Sequence, residues 1–157
     1  MGVKVFLNDD IYIDKGYSIN TDKTLLDLNY IYNFLTTESY WAKNLPYLTF
    51  QTSIEFATCF GVYHQNKQVG FARVISDYST FAYLADVFID FNYRKQGLSK
   101  WLMQTIINYP DFKNLRRFLL ATADAQTLYQ KFGFESLVKP ERFMEILNPY
   151  PLKNISE

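Results

Sequence analysis

Little in this 157-residue chain points to covalent or metal stapling, since it holds one cysteine, Cys59, and one histidine, His64. A single cysteine closes no intramolecular disulfide, so nothing requires an oxidising compartment. One Cys and one His cannot supply the ligand set of a structural zinc, and no metal is expected. Cys59 sits in Thr58-Cys59-Phe60-Gly61-Val62-Tyr63, which reads as the start of a buried strand, where a free thiol packs as a small hydrophobe. An excess of one charge is also lacking, because 16 Lys and Arg balance 16 Asp and Glu. Nucleic acid is therefore not an expected partner, and the short cluster Lys113, Arg116 and Arg117 reads as solvated surface. The opening MGVKVFLNDD lacks the apolar core and cleavage site of a secretory leader, and Phe6 stands where a myristoylation signal carries Ser or Thr. The most apolar stretch, Phe81 to Ile89, is too short to span a bilayer and carries Asp86. No membrane association is expected, and the expected location is cytoplasmic. Without repeats, low-complexity tracts or Pro-, Gly- or Ser-rich linkers, residues 1–157 read as a single domain.

What the chain does have is apolar and aromatic mass: 48% hydrophobic residues, with 13 Tyr, 14 Phe and 2 Trp. That is enough for a thick core and for pocket walls. Leu25, Leu28, Ile31, Tyr32 and Leu35 recur at three- and four-residue steps, which predicts a helix over 24–36 capped by Asp22 or Thr21. A short strand precedes it at Tyr17–Asn20, and a second helix is predicted at Phe50–Thr58. Phe60–Tyr63 and Val69–Ser76 flank the polar turn His64-Gln65-Asn66-Lys67-Gln68, the pattern of a hairpin. Phe81–Ile89 is almost wholly apolar and should lie mid-sheet, covered on both faces. A helix over 97–108, stopped before Pro110, leads to a strand at 117–122. Asp124 is the expected cap of the next helix, whose apolar stripe is Ala125, Leu128, Tyr129 and Phe132 and whose end is Gly133. A last strand is predicted within Arg142–Leu147. The order implies an α/β (α+β) fold, a mixed, mostly antiparallel sheet flanked by helices.

One segment carries chemistry. Strand Phe81–Ile89 runs into Arg94-Lys95-Gln96-Gly97-Leu98-Ser99, which opens a helix. A helix N-terminus presents unpaired N–H groups and the positive end of the dipole. Gly97 permits close approach of a phosphate, and Arg94 and Lys95 add charge. A pyrophosphate is the natural occupant. The loop lacks the extra glycines of a dinucleotide site and the Gly-Lys-Ser/Thr ending of a P-loop, which disfavours a nucleotide binder.

Arg94-x-x-Gly97-x-Ser99 resembles the Arg/Gln-x-x-Gly-x-Gly/Ala signature of GNAT N-acetyltransferases. Leu128-Tyr129-Gln130-Lys131-Phe132-Gly133-Phe134 is similar to that superfamily's second signature, and the element order agrees from about Tyr17 to Leu147. Ser99 replaces the second small residue, and Thr122 stands where many members carry Asn. The resemblance implies a GNAT fold with a splayed central strand and direct transfer of acetyl from acetyl-CoA to a primary amine of a small molecule or peptide, without metal. It implies that residues Gln96, Gly97, Leu98 and Ser99 hold the pyrophosphate, with Arg94 and Lys95 lining its approach. It further implies that the backbone of Val87, Phe88 and Ile89 meets the pantetheine arm, and that Thr122 lies on that side. Tyr129 matches the tyrosine that protonates the leaving thiolate, although its place on an apolar stripe would also suit packing.

A base for the ammonium acceptor is open. With a regular turn at 77–80, Arg73 would face Leu84 and lie diagonally from Asp86. Asp86 is then either a base near the thioester or a carboxylate neutralised by Arg73. Tyr83, expected on the opposite face, matches a position where some members place a base, and a bulge would alter these faces. Tyr40, Trp41 and Tyr47, in less regular sequence, are the candidates for an acceptor-pocket wall. A non-enzymatic acyl-CoA-binding module on the same fold is the rival reading. Exposed aromatics make a homodimer unsurprising.

Overall fold

The structure, a computed structural model, describes residues 9–152. The leader and acylation readings of residues 1–8, Phe6 included, lie outside them. Five strands form one sheet in the order β1-β2-β3-β4-β5: β1 Tyr17–Asn20, β2 Thr58–His64, β3 Lys67–Ser76, β4 Phe81–Ile89 and β5 Arg117–Leu120. The first three pairings are antiparallel and β4–β5 is parallel. The helices are α1 Asp9–Asp14, α2 Leu28–Asn33, α3 Tyr47–Glu55, α4 Leu98–Ile107 and α5 Gln126–Gln130. Among the described residues no helix is long and apolar enough to cross a membrane.

The β3–β4 turn is held by two side chains: the Ser76 hydroxyl accepts the Tyr78 N–H at 2.8 Å and donates to the Phe81 carbonyl at 2.7 Å, and Asp77 does the rest. Asp77 accepts the N–H groups of Ser79, Thr80 and Phe81 at 3.0, 2.8 and 3.1 Å. The Thr80 hydroxyl, donating to the other carboxylate oxygen at 2.6 Å, and then these N–H bonds favour its charged form and hold its carboxyl below the usual carboxylate range.

Four sequence expectations are corrected. The helix predicted over 24–36 is divided: a 3-10 turn at Lys23–Leu25 is capped by Asp22, and α2 starts afresh behind Asp27, which accepts the Tyr30 N–H at 3.0 Å. Two competing caps on one apolar stripe account for the break, and Gln68 fixes it by accepting the Asp27 N–H at 2.8 Å. Beyond α2 the chain widens into a π turn, Phe34–Glu38, with the Thr36 and Thr37 hydroxyls bonded back to the carbonyls of Tyr32 and Asn33. The helix predicted from Phe50 begins at Tyr47, directly after Pro46, whose fixed φ suits a helix entry. Asp124 does not cap α5; the Thr122 hydroxyl accepts the Ala125 N–H instead, at 3.1 Å. Finally, Arg142–Leu147 forms no strand: a 3-10 turn covers Pro140–Arg142, and no ladder partner lies beside the residues that follow.

Two cores sandwich the sheet. Ala72, Val74, Ala82 and Leu84 face α4, against Trp101, Leu102 and Ile106. Cys59, Phe71 and Phe88 face α2 and α3, against Ile31, Leu35 and Phe50. A β-bulge sets which residues of β4 face which way. Phe71 pairs with Phe88 and Arg73 with Ala85, so Asp86 and Val87 together oppose Ala72, and Asp86 takes a left-handed φ of 56°. The bulge flips the alternation within β4. The turn spans 77–81 rather than 77–80, setting Ser76 against Ala82 and so Arg73 against Ala85 rather than Leu84, while the bulge puts Asp86 on the face of Tyr83 instead of the opposite one.

Candidate active site

The site forms where β4 leaves the sheet. Ile89 ends β4, a 3-10 turn spans Phe91–Tyr93, and Arg94–Gly97 leads into α4. Lys95 and Gly97 both take left-handed φ, 62° and 83°, and they curl the loop so that α4 begins abruptly. Gly97 occupies the cap position and brings no side chain to the first-turn N–H groups, which keep their positive end open to a ligand. A side chain at 97 would also strike the hydroxyl of Tyr12. That tyrosine belongs to α1, bonds the Gln96 carbonyl at 3.2 Å and stacks on Trp101 at 4.6 Å, so it clamps the back of the loop.

The open side of the loop faces a pocket of about 490 Å³. Val87, Phe88 and Ile89 line one wall, and Arg94, Lys95, Gly97, Leu98 and Ser99 line its floor. The β4–β5 ladder runs only from Phe81 to Leu84, so on that side residues 85–89 of β4 have no partner strand among the described residues. No described strand occupies that edge, and apart from the Ile89 carbonyl, which Arg94 takes, it faces an extended ligand. Arg94 lines the pocket, yet its Nε donates to the Ile89 carbonyl at 2.9 Å and its guanidinium lies over the Phe91 ring at 3.9 Å. It therefore ties the loop to the end of β4. Gln96 points away: its side-chain oxygen accepts the Tyr17 hydroxyl at 3.0 Å, which leaves only its backbone to the loop.

Tyr129 enters from α5, only 8% exposed. Burial first, then the nearby Tyr40 and Asp124, pushes its hydroxyl up to about 12, so it holds its proton at neutral pH. Tyr40 crosses from the link between α2 and α3, and its hydroxyl oxygen accepts the Ala123 N–H at 2.9 Å. Trp41, stacked edge-on to Tyr40 at 5.0 Å, donates its Nε1–H to Asp86 Oδ1 at 2.9 Å. Arg73 Nε meets the other carboxylate oxygen at 2.5 Å. Both Asp86 oxygens are thus engaged, and the carboxylate sits behind Trp41 rather than on the pocket wall. Its side chain is 10% exposed and that of Arg73 18%.

Besides Gln96 and Asp86, three more residues singled out in the sequence lie outside this pocket. Tyr47 opens α3 and packs edge-on against Tyr32 at 5.0 Å. Tyr83 pairs with Ile75 and Leu119 and borders a second cavity along β5, as does Thr122. Sequence reasoning missed Phe34, Glu38 and Asp124, all of which line the pocket. Phe34 stacks on Phe88 at 3.8 Å. It and Glu38 stand in the π turn, where helical spacing stops reporting which side chains turn inward.

Residues 55–136 match the family model described as an acetyltransferase (GNAT) domain. A Gibberella zeae protein carrying an acetyltransferase assignment is 30% identical over 136 residues, 73% of this chain and 76% of that protein. A crystal structure from Xanthomonas campestris pv. campestris, assigned to the same family, superposes with a TM-score of 0.83 at 44% identity, over 85% of this chain and 94% of that one. A Clostridium acetobutylicum structure, with an acetyltransferase assignment and crystallised with acetyl-CoA, shares the fold at a TM-score of 0.60 and 11% identity, over 83% of this chain and 94% of that one.

Proposed function

The chain belongs to the GNAT acetyltransferase family, and from that premise we propose that it moves acetyl from acetyl-CoA to a primary amine by direct attack of the amine nitrogen. The single observation that carries this reading is a convergence: the uncapped start of α4, the unpaired stretch Val87–Ile89 and the buried hydroxyl of Tyr129 all border one pocket. The residues fit the ligand. A diphosphate suits amides at a helix start flanked by Lys95, and a pantetheine arm suits an unpaired strand edge. When bound, acetyl-CoA supplies the activated acetyl group and a thiolate leaving group. Opening of β4 from β5 beyond Leu84 supports a splayed strand, whose N–H groups steady the oxyanion as the amine attacks.

Tyr129 serves as the proton donor. A phenol held near 12 stays protonated across the physiological range and can pass its proton to a departing sulfur. Asp86 acts as a positioning residue: with both oxygens committed to Arg73 and Trp41, it fixes the indole that walls the pocket. The acceptor proton then leaves through water, and Glu38 and Asp124 at the pocket favour a cationic amine. Incubation with acetyl-CoA and a panel of amines, reading free thiol, tests the proposal. Thiol release that depends on an added amine is expected. Tight CoA binding with no release across the panel would favour the acyl-CoA-binding module.

A further inference from the structure

Tyr129 stands on a helix too short to place itself. α5 has five residues, Gln126–Gln130, and its N-cap residue makes no side-chain bond to the first turn. A helix of that length is unstable alone, so its position comes from what holds its ends. The Tyr129 hydroxyl bonds no other described residue and so contributes nothing to its own placement. Hydrogen bonds do fix the chain that enters α5, where three successive amides are bound. The Thr122 hydroxyl accepts those of Asp124 and Ala125 at 3.4 and 3.1 Å, and the Tyr40 hydroxyl accepts that of Ala123 at 2.9 Å. The Thr122 bonds are local and move with the loop. The Tyr40 bond reaches across 83 positions of the chain. Among the described residues it is the one hydrogen bond that ties residues 122–134 to a distant element.

Tyr40 is itself held from the neighbouring strand. The last ladder pair between β4 and β5 is Leu84 with Leu120, and beyond it the two arms part. Asp86 lies just past that point on the β4 arm, and Ala123 follows on the β5 arm. Asp86 is gripped by Arg73 and accepts the Trp41 Nε1–H at 2.9 Å, and Trp41 meets Tyr40 edge-on at 5.0 Å. Arg73, Asp86, Trp41 and Tyr40 therefore form a brace of side chains from the β4 bulge to the chain leaving β5. Its root is a left-handed residue, Asp86, at φ 56°. Few non-glycine residues adopt that conformation, and it persists where the surroundings impose it. Tyr40 and Trp41 both line the pocket, so the brace crosses the opening in which the reaction is placed.

We propose that Tyr40 is the positioning residue of the proton donor: through the Ala123 amide it sets the entry of α5, and with it the reach of the Tyr129 hydroxyl toward the departing sulfur. The inference rests on the reading of Tyr129 as that donor. Proton transfer needs its heavy atoms within hydrogen-bond reach, and a displacement of about 1 Å costs roughly 10²-fold in rate. Tyr40 is 51% exposed, so its bond competes with water and adds little to stability. Its effect falls instead on where a buried group stands. The two phenols are also close enough that, after burial, Tyr40 is the largest influence keeping Tyr129 protonated.

Tyr40→Phe keeps the ring and its contact with Trp41 and removes only the hydroxyl. Amide exchange followed by NMR on the free protein is expected to show the Ala123 amide protected in the parent. In Tyr40→Phe that protection should fall about fivefold, with residues 124–130 following and the strands unchanged. The melting temperature should drop by no more than about 4 °C. With acetyl-CoA and the panel amine that releases most thiol, kcat should fall about tenfold while the KM for acetyl-CoA changes less than about twofold. Added to Tyr129→Phe, Tyr40→Phe should cost nothing further, because no donor is left to position. An Ala123 amide that exchanges freely in the parent overturns the proposal, and that measurement decides should the variant fail to fold. An unaltered kcat in Tyr40→Phe, beside an active parent, overturns it and leaves acetyl transfer standing. Losses that multiply in the double variant overturn it too, since Tyr40 would then act on the substrate directly. A parent that releases thiol with no amine at all in the panel refutes the acetyl-transfer reading itself, and the positioning role falls with it.

Discussion

Asp86→Asn keeps the shape of the side chain at the β4 bulge and removes its charge. Two losses follow. The Arg73 guanidinium, whose side chain is 18% exposed, loses its counter-ion. One amide oxygen must then serve either Arg73 or Trp41, where two carboxylate oxygens now serve both. Breaking a buried pair from one side costs about 3–5 kcal/mol, and a retained hydrogen bond offsets about 1 kcal/mol of that. The expected loss is therefore about 2–4 kcal/mol, which lowers the melting temperature by roughly 5–15 °C for a chain of this size. Against a total stability of about 5–15 kcal/mol the variant still folds in most of that range. Thermal unfolding and thiol-release assays on the same preparation separate the two roles. Lower stability with residual turnover is the expected outcome, and adding Arg73→Met to Asp86→Asn should recover much of the stability, since the stranded guanidinium goes while an amide oxygen still serves Trp41. A variant that melts like the parent and has no turnover would refute the positioning role and make Asp86 the base.

Tyr129→Phe should reduce turnover by about 10²-fold or more while acetyl-CoA affinity changes little; an unaltered rate would reduce Tyr129 to packing. The pKa values of Tyr129 and Tyr63 are both raised to about 12 and that of Cys59 to about 11, in each case chiefly by burial. In the unfolded chain these groups ionise near their ordinary 10.0 and 9.0. The unfolded state therefore sheds protons first as pH rises, and stability present below about pH 9 falls progressively between about pH 9 and 12. Urea midpoints across that range check the slope. A flat profile would mean that the three groups are solvated.

The strands were readable because their signals are local. Tyr17–Asn20 and Phe81–Ile89 appear with the boundaries their composition suggests. The loop Arg94 to Ser99 was readable as the entry to a helix for the same reason, since its signal lies in six consecutive residues. Face assignments were not. A regular hairpin sets Arg73 against Leu84, while the bulge at Asp86 and Val87 moves every later residue of β4 by one face. The pairing of Arg73 with Asp86 survives only because the bulge brings the carboxylate round to the guanidinium's side. Periodicity likewise lost Phe34 and Glu38, because a π turn does not follow the 3.6-residue repeat. Arg142–Leu147 has the composition of a strand and lacks a neighbour to pair with, a property of its surroundings rather than of its residues.

The most direct measurement is a crystal structure of the chain with coenzyme A, solved beside a titration of the same ligand against Gly97→Val. A side chain at 97 must hold a left-handed φ and displace the Tyr12 hydroxyl, so the variant should fold yet lose CoA affinity. The account predicts the diphosphate within hydrogen-bond distance of the amides at the start of α4, with the thiol end between Val87–Ile89 and Tyr129. A diphosphate bound anywhere else, or full affinity in the valine variant, would contradict it.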